Sequence, residues 1–225
     1  LFEDKIYKDQ EDRSQVLFVE HLPSFDADFI GFDYEAAGRS MAQKALEKGY
    51  GSVCLMTGSL QFSNERDFYR GFTQVLAGTA CRITHIQTDL FRWYQHIVQL
   101  SGESMPQAFF ISNYGFAESV KDICTTFSGP EDPLAIYTVS PTFTMPENDF
   151  IKYEMNYRQL GTIAAETLIK KASGREPGPV HQILKSSGFK DWYANILVPE
   201  EPRPLNVITL DSPEAYIMQS FSRLY

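Results

Sequence analysis

The chain has 225 residues, of which 43% are hydrophobic and 14% are aromatic, and its formal net charge is −9 at pH 7. This length and apolar content can bury the core of one large domain or of two smaller lobes. The negative charge opposes binding to a phosphate backbone, so we do not expect these residues themselves to contact nucleic acid.

Membrane insertion and a metal or disulfide framework are not expected either. No apolar run approaches the roughly 20 residues that span a bilayer, and residues 1–13 are charged rather than signal-like. The three cysteines, Cys54, Cys81 and Cys124, are an odd number without CxxC or Cys/His spacing. This pattern argues against a zinc site and favours buried free thiols.

Five short runs rich in β-branched and aromatic residues predict strands that are covered on both faces. The predicted strands are Val16–Glu20, Ser52–Met56, Arg82–Ile86, Ala108–Ile111 and Leu134–Val139. Segments with helical periodicity lie between them, and the alternation of strand and helix predicts a mainly parallel α/β sheet.

Helix boundaries are marked by capping residues. Apolar side chains recur at helical spacing over residues 116–127 and 160–168, which gives each segment one apolar face. Polar residues that can accept hydrogen bonds from first-turn N–H groups precede two helices, and glycines follow two helix ends. The predicted caps are Asp33 and Asn156 at the beginnings and Gly49 and Gly174 at the ends.

The composition changes near the end of the sequence. Three prolines within Val198–Pro204 predict a stiff extended linker, which we place at residues 199–204. Leu205–Asp211 then has the composition of a strand, and Ser212 followed by Pro213 is a strong helix start. Residues 205–225 therefore predict the start of a further βα unit.

Five motifs occur in an order that resembles the lactose/galactose-repressor (LacI/GalR) family of transcriptional regulators. They are FIGFDYEAAG at 29–38, SVCLMTG at 52–58, RGF at 70–72, PQAFFISN at 106–113 and NYRQLGTIAA at 156–165. Each motif alone is a weak signal, whereas the order and spacing of the set are fairly specific. The matches cover about residues 15–190.

The resemblance implies a two-lobed, periplasmic-binding-protein-like α/β fold with mainly parallel sheets and a ligand between the lobes. By analogy, the first lobe holds residues 1–58 and the helix at 156–174, and the second holds residues 59–153 and 176–198. Family members carry two further βα units and a helix-turn-helix before the strand at Val16. We therefore expect the amino-terminal lobe to be incomplete and the chain to be truncated at its amino terminus.

The end of the chain resembles a different class of protein. Residues 205–225 are similar to the first strand and helix of an extracellular solute-binding protein. This likeness suggests that the full-length protein joins a sensor core to a second binding module.

Ligands of such folds bind beyond the carboxyl ends of the strands. The topology and the resemblance together place seven candidate ligand-binding residues there. They are Asp33, Arg66, Phe68, Phe91, Asn113, Tyr114 and Met155. Three of these seven residues are aromatic, which favours a ligand with a flat or apolar face and a few hydroxyl or amide groups.

Several of these candidates have a structural alternative. Asp33 can cap a helix instead of binding a ligand, Asn113 can form an Asx turn, and Phe68 fits an apolar helix face. In the family, an arginine that grips the ligand usually stands at the position of Phe68. Either Arg66 takes that role from the loop, or the ligand is more apolar.

The function that the resemblance implies is the ligand-sensing and dimerisation core of a transcriptional regulator. A sugar-like or nucleoside-like effector between the lobes would control a helix-turn-helix headpiece absent from these residues, and DNA would be contacted only through that headpiece. The implied location is the cytoplasm. The alternative is a solute-binding receptor of an ABC-type transporter, located outside the cytoplasm.

We do not expect an enzyme or a bound cofactor. The four histidines are scattered along the sequence, and there is no GxSxG, no HExxH, no P-loop and no GxGxxG that opens a helix. An α/β scaffold without such a constellation carries no specific chemistry.

Overall fold

The computed structural model describes residues 16–88, 93–103, 105–128, 134–141, 150–175 and 179–189. Their strands are β1 (Leu17–Val19), β2 (Asp28–Phe32), β3 (Ser52–Thr57), β4 (Arg82–Gln87), β5 (Ala108–Ile111), β6 (Ala135–Pro141), β7 (Ile151–Met155), β8 (His181–Leu184) and β9 (Gly188–Phe189). Their helices are α1 (Tyr34–Lys48), α2 (Ser63–Leu76), α3 (Trp93–Glu103), α4 (Tyr114–Ser128) and α5 (Tyr157–Ala172).

The strands form two sheets that are almost wholly parallel. The smaller sheet has the order β1-β2-β8, and the larger has the order β4-β3-β5-β6-β7-β9. Within the described residues, only β9 runs antiparallel to its neighbour, β7. The mainly parallel α/β architecture predicted from the sequence is confirmed, and so are all five predicted strands. The predicted linker at 199–204 and the βα unit at 205–225 lie outside the described residues.

The strand pairing corrects the expected division of the lobes at residue 58. β3 pairs with β4 and β5 and therefore belongs to the larger sheet, although residues 1–58 were assigned to the first lobe. β8 pairs with β2 in the smaller sheet, although residues 176–198 were assigned to the second lobe. Motif order follows the chain, whereas hydrogen bonding between strands is set by crossovers that bring distant segments together. The other lobe boundaries stay a prediction.

Local sequence explains where the helices begin and end. The Asp33 carboxylate accepts a hydrogen bond from the Ala36 N–H at 2.7 Å, and the Asn156 Oδ1 accepts one from the Gln159 N–H at 3.0 Å. Gly49 ends α1 with φ 70°. α5 ends at Ser173, directly before Gly174 with φ 68°. All four predicted caps are thus confirmed, because capping depends only on neighbouring residues.

The core lies on both faces of the larger sheet. Alternate residues of one strand enter different apolar clusters: Phe110 packs with residues of α1 and α2, while Phe109 and Ile111 pack with residues of α3 and α4. This alternation is the period of two that a strand imposes on its side chains. None of the helices in the described ranges is long and apolar enough to cross a bilayer.

The cysteines are free thiols, as predicted. Cys54 and Cys124 are buried in the core, and Cys81 is half-buried. Burial raises the pKa of the Cys124 thiol to about 11, so this side chain stays protonated and unreactive near neutral pH.

Helices α1 and α2 touch each other through two glycines. A Cβ atom added to Gly38 would lie 2.2 Å from the Phe68 carbonyl oxygen, and one added to Gly71 would lie 2.1 Å from the Glu35 carbonyl oxygen. The obstructing atoms are backbone, so they cannot move aside as a flexible side chain would. Only glycine therefore permits this approach of the two helices.

We predict that Gly71→Ala will lower the free energy of unfolding by about 1–3 kcal/mol, the usual cost of overpacking a tight contact. Gly161→Ala is the matched control, because this exposed helical glycine has no neighbour within 4 Å of an added Cβ. Because alanine has a higher helix propensity than glycine, this control should instead raise the free energy of unfolding by up to about 1 kcal/mol. Urea denaturation of both variants measures the difference, and equal effects would contradict the close contact of α1 and α2.

Candidate functional site

A cavity of about 180 Å³ lies between the smaller sheet and the beginning of α2. Its walls come from the residues after β1, from β2 and β8, and from the first turns of α1 and α2. The lining residues are Glu20, Leu22, Phe29, Phe32, Tyr34, Ser63, Asn64, Asp67, His181 and Ile183. Aromatic and aliphatic walls with a few polar groups are typical of a small-molecule site.

Glu20 is the centre of a hydrogen-bond network at this cavity. Its Oε2 accepts hydrogen bonds from the Tyr34 hydroxyl and, at 3.2 Å, from the Tyr157 hydroxyl, and the two hydroxyl oxygens are 2.8 Å apart. Glu20 has φ 69°, a left-handed conformation that is uncommon outside glycine. Such conformations cluster at functional sites, where the surrounding structure holds them in place.

Two buried oxygen atoms at the cavity have no hydrogen-bond partner among the described residues. They are the Oε1 of Glu20 and the Oδ1 of Asn64. Buried polar atoms are nearly always hydrogen-bonded in folded proteins, and each exception needs an explanation. Both atoms accept hydrogen bonds, and both residues line the same cavity. A ligand that donates hydrogen bonds is the kind of partner that such acceptors would take.

Burial controls the titration of this cluster. It raises the pKa of Glu20, and the hydrogen bonds from Tyr34, from Tyr157 and from the Phe32 backbone oppose that rise only in part. Burial also raises the pKa of both tyrosines, so they remain hydrogen-bond donors at neutral pH. The pKa of Asp67 is raised by burial as well, against the opposing charge of Arg70. The cavity is thus rich in hydrogen-bond acceptors that burial discourages from carrying charge.

The first turn of α2 is held in place by contacts with three other segments. The Glu65 carboxylate accepts hydrogen bonds from the Gly58 N–H at 2.8 Å and from the Ser112 Oγ at 2.5 Å, which joins α2 to the ends of β3 and β5. The Ser63 Oγ accepts a hydrogen bond from the Leu22 N–H at 2.7 Å. These contacts fix Asn64 opposite the residues that follow β1.

Two of the predicted site residues belong to the core. Phe68 and Met155 are fully buried and pack in the apolar cluster beside α1 and α2, and neither lines the cavity. This placement is the structural alternative given above for Phe68, and a contact of either residue with a ligand stays a prediction.

Three further predicted residues lie outside the cavity walls. Asp33 caps α1, Arg66 is exposed, and Asn113 is exposed with its Oδ1 accepting a hydrogen bond from the Gly115 N–H at 2.8 Å. The structural alternatives given above for Asp33 and Asn113 are therefore present. A contact of these residues with a ligand remains a prediction.

Of the last two predicted residues, Tyr114 does not line the cavity. Tyr114 packs edge-on against Phe150, with ring centroids 6.0 Å apart, and the Lys152 ammonium lies 5.4 Å from its ring centroid. Phe91 lies outside the described residues. Both stay predictions as ligand contacts.

The sequence interpretation missed the residues that line the cavity. Glu20 is the last residue of a predicted strand, so the rule that ligands bind at carboxyl ends of strands could have selected it. Tyr34 and Tyr157 each directly follow a predicted cap, at Asp33 and Asn156. Asn64 carried no sequence signal, because its role depends on where α2 begins in space.

Solved structures of known regulators have the same architecture. The Cra transcriptional dual regulator from Pseudomonas putida, in complex with fructose 1-phosphate, is 20% identical, with a TM-score of 0.69 over 84% of this chain and 73% of that chain. A periplasmic binding protein/LacI transcriptional regulator from Alkaliphilus metalliredigens, complexed with D-xylulofuranose, is 16% identical, with a TM-score of 0.68 over 83% and 72%. The transcription regulator CcpA of Lactococcus lactis is 16% identical, with a TM-score of 0.64 over 78% and 68%.

The chain has the two-lobed, periplasmic-binding-protein-like fold of LacI-type regulators. The fold to which the sequence motifs pointed is therefore confirmed. No protein-family model and no curated protein matches the chain. At these identities the likeness concerns the fold, and the chemistry of the site rests on the residues of this chain.

We predict that Glu20→Gln will stabilise the protein more at about pH 7.5 than at about pH 4. The pKa of Glu20 is raised in the folded state, so its protonated form favours folding below the unfolded-state pKa, and this contribution is lost as pH rises through the folded-state pKa. Glutamine stays neutral throughout. Urea denaturation across this pH range measures the difference.

Glu35→Gln is the control, because the pKa of Glu35 is lowered in the folded state and its effect on stability should have the opposite pH dependence. The hydrogen bond from Arg70 is the main cause that lowers the pKa of Glu35, so its contribution to stability is present above the unfolded-state pKa and lost as pH falls. This variant should be slightly less stable than the wild type at neutral pH, by up to about 1 kcal/mol. A pH-independent effect of Glu20→Gln would show that burial of its charge is unimportant.

Proposed function

We propose that this chain is the ligand-sensing core of a transcriptional regulator. In this proposal a small molecule binds in the cavity beside Glu20, and binding changes the DNA affinity of a helix-turn-helix headpiece outside these 225 residues. The core acts as a homodimer and performs no catalysis. The observation that carries the proposal is that Glu20 and Asn64, two residues that line one cavity, each have a buried oxygen without a hydrogen-bond partner among the described residues.

The positions of these two oxygens support a conformational response to ligand. Glu20 follows β1 of the smaller sheet, whereas Asn64 lies in the first turn of α2, which packs against the larger sheet. A ligand that donates to both oxygens would stabilise the arrangement in which they are close. A ligand shifts an equilibrium only through such a difference in contacts between two states.

The network around Glu20 offers a path from the cavity to the rest of the fold. Its carboxylate is hydrogen-bonded by Tyr34, the first residue of α1, and by Tyr157, the first residue of α5. Both helices follow directly on strand ends, at β2 and β7. A ligand that shifts the Glu20 carboxylate would therefore shift the first residues of two helices that connect distant parts of the chain.

A solute-binding receptor is the second candidate function. One structural neighbour carries both descriptions, periplasmic binding protein and LacI transcriptional regulator. Cleft closure on a ligand would serve either role. The two candidates are separated by the full-length protein: ligand-dependent binding to operator DNA supports the regulator, and delivery of ligand to a transport complex supports the receptor.

We predict that a thermal-shift screen of sugars, nucleosides and amino acids will give at least one stabilising ligand. At 100 times its dissociation constant, such a ligand adds about 2.7 kcal/mol to the stability of the folded chain. Glu20→Ala and Asn64→Ala should each weaken its binding by about 1–3 kcal/mol through the loss of a buried acceptor.

The control for this screen is Glu47→Ala, which removes an exposed carboxylate paired only at the surface with Lys44. It should leave the affinity unchanged. If the affinity for a ligand is unchanged by both cavity substitutions, the binding site of that ligand lies outside this cavity. A ligand that binds without altering the DNA affinity of the full-length protein would contradict the regulator assignment.

A further inference from the structure

We infer that the cavity beside Glu20 selects a small ligand that carries a protonated amine, such as an amino sugar, over a neutral or anionic analogue of the same shape. This inference rests on the proposed function, since it names the class of ligand for the same cavity. It depends on three features of the lining residues: the polarity of their free atoms, the charge of the wall, and the nature of the apolar faces.

The free polar atoms of the wall are acceptors. The Glu20 Oε1 and the Asn64 Oδ1 are buried and unpartnered, and neither atom can donate a hydrogen bond when Glu20 is ionised. An ammonium group has three donors and no acceptor. Its donors are complementary to these two acceptors, whereas a phosphate or carboxylate would add further acceptors beside them.

The charge of the wall favours a cation. Glu20 and Asp67 are the acidic lining residues, and neither lysine nor arginine occurs among the described residues that line the cavity. His181 is the one lining side chain there that can become positive. The exposed Arg70 forms an ion pair with Asp67 at 3.1 Å, but it also pairs with Glu35 of α1. Glu20 therefore has no cationic partner among the described residues, and a buried carboxylate gains most from a charge-assisted donor.

The apolar faces are mostly aromatic. Phe29, Phe32 and Tyr34 line the cavity, and Phe29 packs against His181 with ring centroids 5.4 Å apart. Aromatic faces attract a cation through their quadrupole, and the attraction is stronger where water is excluded. The volume of about 180 Å³ is below the roughly 300–1,000 Å³ of pockets for drug-sized ligands, which restricts the ligand to a small molecule.

Matched pairs of sugars test this inference, because each pair differs only at one substituent. We propose calorimetric titration of the chain with D-glucosamine against D-glucose and with D-galactosamine against D-galactose. N-acetyl-D-glucosamine and D-glucose 6-phosphate serve as the uncharged amide and the anion. In at least one pair the amine should bind about tenfold or more tightly than its parent sugar, which corresponds to about 1.4 kcal/mol.

Two variants test whether the wall carboxylates cause this preference. Glu20→Gln should reduce the preference for the amine to below about threefold while changing the affinity for the parent sugar much less, because the amide keeps an acceptor but loses the charge. Asp67→Asn provides an independent second variant if the first does not fold. Glu47→Gln makes the same change of net charge at an exposed position and should leave both affinities unchanged.

Each outcome decides the inference. Parent sugars that bind as tightly as their amines, with affinity lost in Asn64→Ala, would overturn the selection of a cation and leave the proposed sensing site standing. Tighter binding of the phosphate ester would do the same. No binding by any sugar or amino sugar would count against both the inference and the proposed function of this cavity.

Discussion

The close approach of α1 and α2 through Gly38 and Gly71 is the contact on which the geometry of the site depends. α1 leaves the smaller sheet after β2 and leads into β3 of the larger sheet, so it is one of the connections between the two sheets. Its contact with α2 brings the first turn of α2 beside the residues that follow β1. Without two residues that lack a Cβ, the helices would separate, and Asn64 would no longer face Glu20.

Those parts of the fold that depend on neighbouring residues could be predicted from the sequence. The caps at Asp33 and Asn156 and the five apolar strands follow from periodicity and from hydrogen bonding within a few residues. The sheet to which a strand belongs could not be read in this way. β8 pairs with β2 about 150 residues earlier in the chain, and no local pattern encodes that choice of partner.

The residues that line the cavity were not among the predicted site residues. The rule that ligands bind at the carboxyl ends of strands could have selected Glu20, which is the last residue of a predicted strand. The network that gives Glu20 its character joins it to Tyr157, which is 137 residues away. Family resemblance selected Phe68 instead, whose side chain is buried in the apolar cluster beside α1 and α2. Sequence position alone does not distinguish a residue that lines the cavity from one that packs in the core.

A comparison of Glu20 with a buried acid, Asp28, and with a half-buried acid, Glu65, argues that Glu20 serves a ligand rather than the fold. Asp28 is paired with the Lys171 ammonium at 2.5 Å and accepts a hydrogen bond from the Val180 N–H at 2.6 Å. Glu65 accepts from Gly58 and Ser112, and so joins three elements. Burial of Glu20 is costly in the same way, yet one of its oxygens has no partner among the described residues, and its backbone is in an unfavourable conformation. Acids that hold a fold together are satisfied by the protein itself. An acid that lines a cavity and has one oxygen without a hydrogen-bond partner is best explained by a ligand that binds reversibly.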